Sequence, residues 1–430
     1  MTVHVRPITT QKNATDIFIG GCSLNDLANE YGTPLYVLDE ATIRHNCQLF
    51  TKTLTKNYPD FTIAYASKAG LNIGISNIIA SENLGADVVS GGELFTVLNS
   101  HISKDKIYFH GNNKSAEELE LAIRHNVRIV VDNPFELTLI ESIATQHNRT
   151  AHIMFRIKPG IEAHTHEYIK TGHIDSKFGL PLDDVLPLIE RVSKGNWGTF
   201  IGIHAHIGSQ IFDTQPYHDL MTILVKFMMT IKTATQLDTL ELNCGGGFGI
   251  QYLDTDNAPN VPDIISQMAT DLASHCEKNA LLNPKLIFEP GRSIIANAGV
   301  TLYSVGATKP ITNGPHYLFV DGGMADNPRP MMYQSDHTFD VVSPTTDQRT
   351  EYKIAGKFCE SGDILAHSVS LPTVQPNDTI VVYGTGAYNY SMASNYNRFC
   401  KPAMVLVNSG TPRLLVKRET YSDIIQYDVP

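Results

Sequence analysis

The feature that most constrains this chain is an eightfold alternation. Short apolar runs recur at Thr62–Ala66, Ala86–Val89, Ile107–Phe109, Arg128–Val131, His152–Ile157, Phe200–His204, Leu240–Asn243 and Leu286–Phe288, and each is followed by a helical pattern. The runs are apolar on both faces, as parallel strands covered by helices are. Between them, Ser115–Ala116–Glu117–Glu118 reads as a capping box opening a helix to about Asn126. Pro134 suits the first position of the next helix. Leu182–Val192 and Met221–Thr235 carry helical apolar spacing. Eight such units predict a (β/α)8 barrel.

After about residue 295 the pattern changes. Val300–Val305, Tyr317–Val320, Asp378–Tyr383, Met404–Val407 and Arg413–Val416 read as strands, with Asn408–Ser409–Gly410 turning between the last two. The expected organisation is a barrel over residues 36–292 and an all-β domain, a β-sandwich or β-barrel, formed by residues 1–35 together with 293–430.

Composition narrows the function. The 430 residues carry a formal net charge of -11, which argues against a nucleic-acid partner. No apolar run approaches the ~20 residues of a membrane span, and the first sixteen residues lack signal-peptide or transit-peptide character, so a cytoplasmic protein is expected. The six cysteines (Cys22, Cys47, Cys244, Cys276, Cys359 and Cys400) form no CxxC pair and are read as reduced thiols. His164, His166, His173, His204 and His206 come without HExxH or CxxC companions, so no metal is expected.

Barrel enzymes work at the C-terminal ends of their strands. There this chain places Tyr65–Ala66–Ser67–Lys68, Ser90–Gly91–Gly92–Glu93, Asp132–Asn133–Pro134, His204–Gln210, Cys244–Gly249 and Glu289–Pro290–Gly291–Arg292. A lone strand-end lysine is ordinarily solvated, but one enclosed in an apolar pocket can lose its proton and form a Schiff base. Gly245–Gly246–Gly247 either makes a tight turn or frees three successive amides for an anion, with Gly291, Arg292 and Ser209 adding donors. A carboxylate such as Glu289 set against a pyridine nitrogen keeps that nitrogen protonated. The β domain adds Asp321–Met324, Arg329–Tyr333, Cys359–Asp363, Gly386–Tyr388 and Ser391–Asn397.

Taken in order, these segments resemble the alanine-racemase-fold decarboxylases that use pyridoxal phosphate (fold type III), above all the diaminopimelate decarboxylase family. The likeness runs from Tyr31–Tyr36 to Asn395–Asn397. It is most specific at Tyr65–Lys68, His206–Gln210, Glu289–Gly299 and Cys359–Asp363, with Arg156–Gly160 and Thr165–Gly179 in support.

The resemblance implies roles. Lys68 would hold pyridoxal 5'-phosphate, His206 would stack on its ring, and Glu289 would pair with its nitrogen. Ser209, Gly247, Gly291 and Arg292 would bind the phosphate, and Tyr388 would also reach the cofactor. Arg292, Arg329 and Tyr333 would hold the substrate's non-reacting carboxylate and Glu360 its ammonium. Cys359 is the expected proton donor, with Lys68 the alternative. The family is typically a homodimer, with Cys359 and Glu360 contributed by the neighbouring subunit. The expected reaction is decarboxylation of meso-2,6-diaminopimelate to L-lysine and CO2, the last step of lysine biosynthesis.

Three places depart from the family pattern: Ala325 for a residue often polar, Asn327–Pro328 for aliphatic residues, and Asn389–Tyr390 for Gly-Phe. The alternatives are a relative acting on ornithine, arginine, carboxynorspermidine or a modified diaminopimelate, and a non-catalytic pyridoxal-phosphate-binding protein.

Overall fold

The computed structural model describes residues 4–161, 176–312 and 314–429, which form two compact units. The first consists mainly of Asn46–Gly249 and Asn257–Gly291; the second of Val3–His45, Ile250–Asp256 and Arg292–Pro430. Among the described residues no helix is long and apolar enough to cross a membrane.

In the first unit eight parallel strands close on themselves. They are β1 (Phe61–Ala66), β2 (Gly85–Val88), β3 (Ile107–Phe109), β4 (Arg128–Val131), β5 (Ala151–Arg156), β6 (Gly198–His204), β7 (Glu241–Asn243) and β8 (Lys285–Phe288). Closure comes from β8 pairing with β1, Leu286 opposite Phe61. All eight coincide with the apolar runs of the sequence. The barrel is filled: Ala64, Tyr108, Val130, Met154, Ile201 and Ile287 form one buried cluster. The capping box at Ser115 is present, and Pro134 opens its helix with Asn133 capping the Glu136 amide.

One buried ion pair ties the ends of β3 and β4 together. Lys114 Nζ donates to the carbonyls of Gly111 and Val130, both at 2.8 Å, and to Glu136 Oε1 at 2.6 Å. All three ammonium protons are thus satisfied away from water. Removing one partner of such a pair leaves an uncompensated buried charge and costs about 3–5 kcal/mol.

The second unit is mostly β. Its central strand, Gly299–Lys309, pairs through its first half with Leu35–Asp39 and Thr379–Tyr383. Beyond a bulge between Val305 and Ala307 it pairs with His316–Val320. The bulge redirects the strand from one part of the sheet to the other. Ala403–Asn408 and Thr411–Val416 form a hairpin whose turn residues, Ser409 and Gly410, both take positive φ (50° and 78°) as a type I′ turn requires. Two apolar cores lie in this unit, one around Leu35, Val300 and Val405 and the other around Leu318, Ile354 and Val382.

Several elements differ from the sequence reading. That reading opened the barrel at residue 36, but Leu35–Asp39 runs parallel to Ala403–Val407 and antiparallel to Gly299–Leu302, inside the second unit's sheet. It is buried along its whole length, so its pattern matches that of a barrel strand. Ile250–Asp256 also belongs to the second unit. Strands Phe339–Val341, Arg349–Ala355 and Ile364–Pro372 were not anticipated. The last is mostly half-buried and its ladder is broken by irregularities, so period-two alternation is lost.

Replacing Lys114 by Met is expected to lower unfolding free energy by about 3–5 kcal/mol. Denaturant titration of the variant checks this, and a loss under about 1 kcal/mol would mean that Glu136 finds another partner.

Candidate active site

The barrel unit gathers ionisable side chains at the C-terminal ends of its strands. Glu289, just past β8, is buried and held on both oxygens. Oε1 lies 2.7 Å from His110 Nε2 and accepts Asn243 Nδ2 at 2.5 Å; Oε2 lies 3.2 Å from His204 Nε2. The two histidine rings meet edge-on, with centroids 4.6 Å apart. Burial works against the Glu289 charge, but His110 and His204 outweigh it and hold the carboxyl well below its ordinary range. Burial pushes His204 the other way, down to about 3 against the pull of Glu289, so that ring is neutral and donates through Nε2.

His206 is half-buried, and its Nδ1 accepts the Gly246 amide at 3.2 Å. Burial, then the charges of Lys68 and Arg156, hold it well below its usual value. A neutral ring accepting at Nδ1 carries its proton on Nε2.

The glycine triplet explains how this ring fits. A Cβ on Gly245, at φ 65°, would come within 2.7 Å of His206 Nδ1. One on Gly246 would come within 2.2 Å of the Glu289 carbonyl, and one on Gly247, at φ 95°, within 2.4 Å of the Gly208 carbonyl. Of the two readings of the triplet, the structure favours the tight turn: Gly245 N donates to Asn243 Oδ1 and Gly246 N to His206. The amides of Gly247 and Gly291 have no protein acceptor among the described residues. Ser209 is half-buried.

Lys68 stands on the 3-10 turn Ser67–Ala69 directly after β1. Its side chain is exposed, as is ordinary for a strand-end lysine.

The second unit holds a cluster of two buried arginines among tyrosines. Arg292 Nη1 donates to Tyr252 Oη at 2.6 Å, and its guanidinium lies 4.8 Å from the Tyr388 ring centre. Arg329 opens the helix Arg329–Tyr333, so Tyr333 returns one turn later beneath it, at 5.2 Å. Arg329 also lies 5.6 Å from Tyr388 and 5.7 Å from Tyr252. Tyr388 sits at φ 60°, a strained position for a bulky residue. Burial opposes ionisation of Tyr252, yet Arg292 and Arg329 lower its pKa. Among the described residues Arg329 has no carboxylate partner, and its Nε has no acceptor. A buried cation without a counter-charge is unfavourable, and an anionic ligand would relieve it.

Cys359 and Glu360 are exposed in a loop of the same unit. Arg156 is buried beside Asp132, and Gly179 N donates to Asp132 Oδ1 at 3.0 Å. His164, Thr165, His166 and His173 lie outside the described residues.

Sequence reasoning missed His110, Asn243 and Tyr252. His110 is the first residue after β3 and Asn243 the last of β7, so the strand-end rule applied to every strand would have found both. Tyr252 follows the glycine loop without any charge to mark it.

A pyridoxal-dependent decarboxylase, pyridoxal binding domain, matches residues 40–296. A diaminopimelate decarboxylase of Synechocystis is 45% identical, over 99% of this chain and 93% of its own length. That of Bacillus subtilis is 40% identical, over 96% and 95%. The crystal structure of the M. jannaschii diaminopimelate decarboxylase in complex with L-lysine superposes with a TM-score of 0.93, at 33% identity, covering 99% of this chain and 98% of that one. The chain belongs to the diaminopimelate decarboxylase family.

Against that family's pattern two of the three departures turn out to be one feature. Asn389 Nδ2 donates to Asn327 Oδ1 at 2.9 Å, and both side chains are fully buried. Asn327 lies two residues before Arg329 and Asn389 directly follows Tyr388, so the pair joins the segments that carry two residues of the arginine cluster. Ala325, also buried, lends its carbonyl to the Ser394 amide at 2.9 Å.

Asn327→Leu or Asn389→Ala alone strands a buried amide and is expected to cost about 1–3 kcal/mol. The double variant should cost less than the sum, by at least about 0.5 kcal/mol. A double-mutant cycle by chemical denaturation checks this, and strict additivity would mean that the two amides are not coupled.

Proposed function

We propose that this enzyme decarboxylates meso-2,6-diaminopimelate to L-lysine and CO2 with pyridoxal 5'-phosphate, as the last step of lysine biosynthesis. The observation that carries the reading is the buried Arg329, without a carboxylate partner, in one cluster with Arg292 and three tyrosines. That cluster suits a substrate whose non-reacting end carries a carboxylate. Ornithine has none and would leave Arg329 without a counter-charge, at a cost of roughly 2–5 kcal/mol, or about 30- to several-thousand-fold.

The barrel residues fit the cofactor. The unpartnered amides of Gly247 and Gly291 suit phosphate, with Ser209 and Arg292 beside them in the assignment. Lys68 is the Schiff-base lysine. His206, neutral and backed by the glycine turn, is the ring-stacking residue. Glu289, kept ionised, suits a protonated pyridine nitrogen. The cofactor, when bound, supplies the electron sink that loss of CO2 requires.

The chain's own residues do the rest. Glu289 holds the proton at the ring nitrogen. Arg292, Arg329 and Tyr333, with Tyr388, orient the substrate by its distal carboxylate, and Glu360 takes the distal ammonium. Cys359 delivers a proton to Cα after CO2 leaves, with Lys68 as the alternative donor. A homodimer, in which Cys359 and Glu360 serve the neighbouring subunit, and a cytoplasmic setting complete the proposal.

The test is CO2 release from meso-diaminopimelate, ornithine, arginine and carboxynorspermidine, each with pyridoxal phosphate. Release is expected from diaminopimelate alone and is expected to vanish in Lys68→Ala. Arg329→Ala should lose at least about 30-fold in turnover of diaminopimelate while keeping its cofactor absorbance. Release from another substrate, or cofactor loss in Arg329→Ala, would overturn the assignment of the arginine cluster.

A further inference from the structure

The Asn395–Tyr396–Asn397 segment has so far no role, yet it is fastened to the loop of Cys359. Asn397 Oδ1 accepts the Cys359 amide at 2.9 Å. Asn397 itself is exposed and sits at φ 50°, followed by Arg398 at φ 59°. Two consecutive left-handed residues are unusual outside glycine, and asparagine tolerates the conformation better than most. The turn is held from within: Arg398 N donates to the Asn395 carbonyl at 2.7 Å, and Asn395 Nδ2 donates to the Phe399 carbonyl at 3.0 Å and to Glu419 Oε2 at 2.5 Å. The Phe358 ring packs edge-on against Phe399, at 5.1 Å, and lies 6.2 Å from Tyr396.

The other end of the loop is held separately. Asp363 accepts the Phe358 amide at 2.9 Å and the Met324 amide at 2.7 Å. A Cβ on Gly323 or Gly356 would come within 2.4 or 2.1 Å of its carboxylate, so the acid is seated against bare backbone. The amide of Cys359 and the one before it are therefore each tied to a different side chain, while the thiol stays exposed.

We propose that Asn397 is a positioning residue for Cys359: it fixes the backbone of the cysteine so that the thiol is presented in one place. The catalytic part of this rests on the reading of Cys359 as proton donor. Proton transfer depends steeply on placement, and an error of 1 Å can cost about 10²-fold. The segment that carries Asn397 also meets the Arg329 segment through Ser394 and Asn389, so one stretch of chain registers the cysteine loop against the arginine cluster.

Asn397→Gly removes the amide and keeps the left-handed backbone free of strain. Asn397→Asp keeps an acceptor oxygen and also tolerates that backbone. In the cofactor-loaded enzyme Asn397→Gly is expected to lower kcat for diaminopimelate about 10- to 100-fold, with KM and the cofactor spectrum little changed, and Asn397→Asp to recover most of the loss. In a Cys359→Ala background Asn397→Gly should add nothing further.

Alkylation of Cys359 by iodoacetamide, followed by peptide mass, reads the thiol directly and needs no substrate. Its rate should change several-fold in Asn397→Gly and return in Asn397→Asp. An unchanged alkylation rate would overturn the proposal, as would an equal kcat loss in the Cys359→Ala background. A changed alkylation rate with unchanged kcat would uphold the placement of the thiol and reject Cys359 as the donor.

Discussion

A carboxylate that stays ionised while buried organises the end of this barrel. Glu289 is enclosed by His110, His204 and Asn243, which come from the ends of β3, β6 and β7. Each donor depends on strand order: only a closed barrel brings the residue after β3 and the last residues of β6 and β7 to the residue after β8. Asn243 does double duty, donating to Glu289 and accepting from Gly245, and so couples the carboxylate to the glycine turn. That turn in turn supports His206. Removing the charge at Glu289 would therefore be felt at the His206 ring through this turn as well as through their direct electrostatic interaction.

The second unit handles charge in the opposite way. Instead of surrounding an acid with donors, it buries Arg292 and Arg329 among Tyr252, Tyr333 and Tyr388. Aromatic faces and phenol oxygens make such burial tolerable without cancelling the charge. One unit is thus arranged around a buried negative charge and the other around two buried positive ones.

Much of this was legible in the sequence. The barrel strands announced themselves because both their faces are buried, and Lys68, His206 and Glu289 stood out because they follow strand ends. Leu35–Asp39 misled because burial on both faces also occurs inside the second unit's sheet. The surroundings of Lys68 and of the glycine amides stayed open for a different reason. Exposure and hydrogen-bond partners depend on neighbours distant in sequence: Gly246 meets His206 forty positions away. The Asn327–Asn389 pair was visible only as two unrelated departures, because nothing in sequence reveals that residues 62 positions apart touch. Tyr252 and Asn397 were silent, since a tyrosine or an asparagine in a loop has many ordinary uses.

In the proposed role, Glu289 remains a carboxylate and so keeps a proton on the cofactor's ring nitrogen. The direct measurement is the nitrogen NMR shift of pyridoxal phosphate, labelled with 15N in the ring and bound to the protein at neutral pH. The account predicts a pyridinium shift in the wild-type protein, moving toward that of a neutral pyridine in Glu289→Gln. A neutral-pyridine shift in the wild-type protein would contradict it.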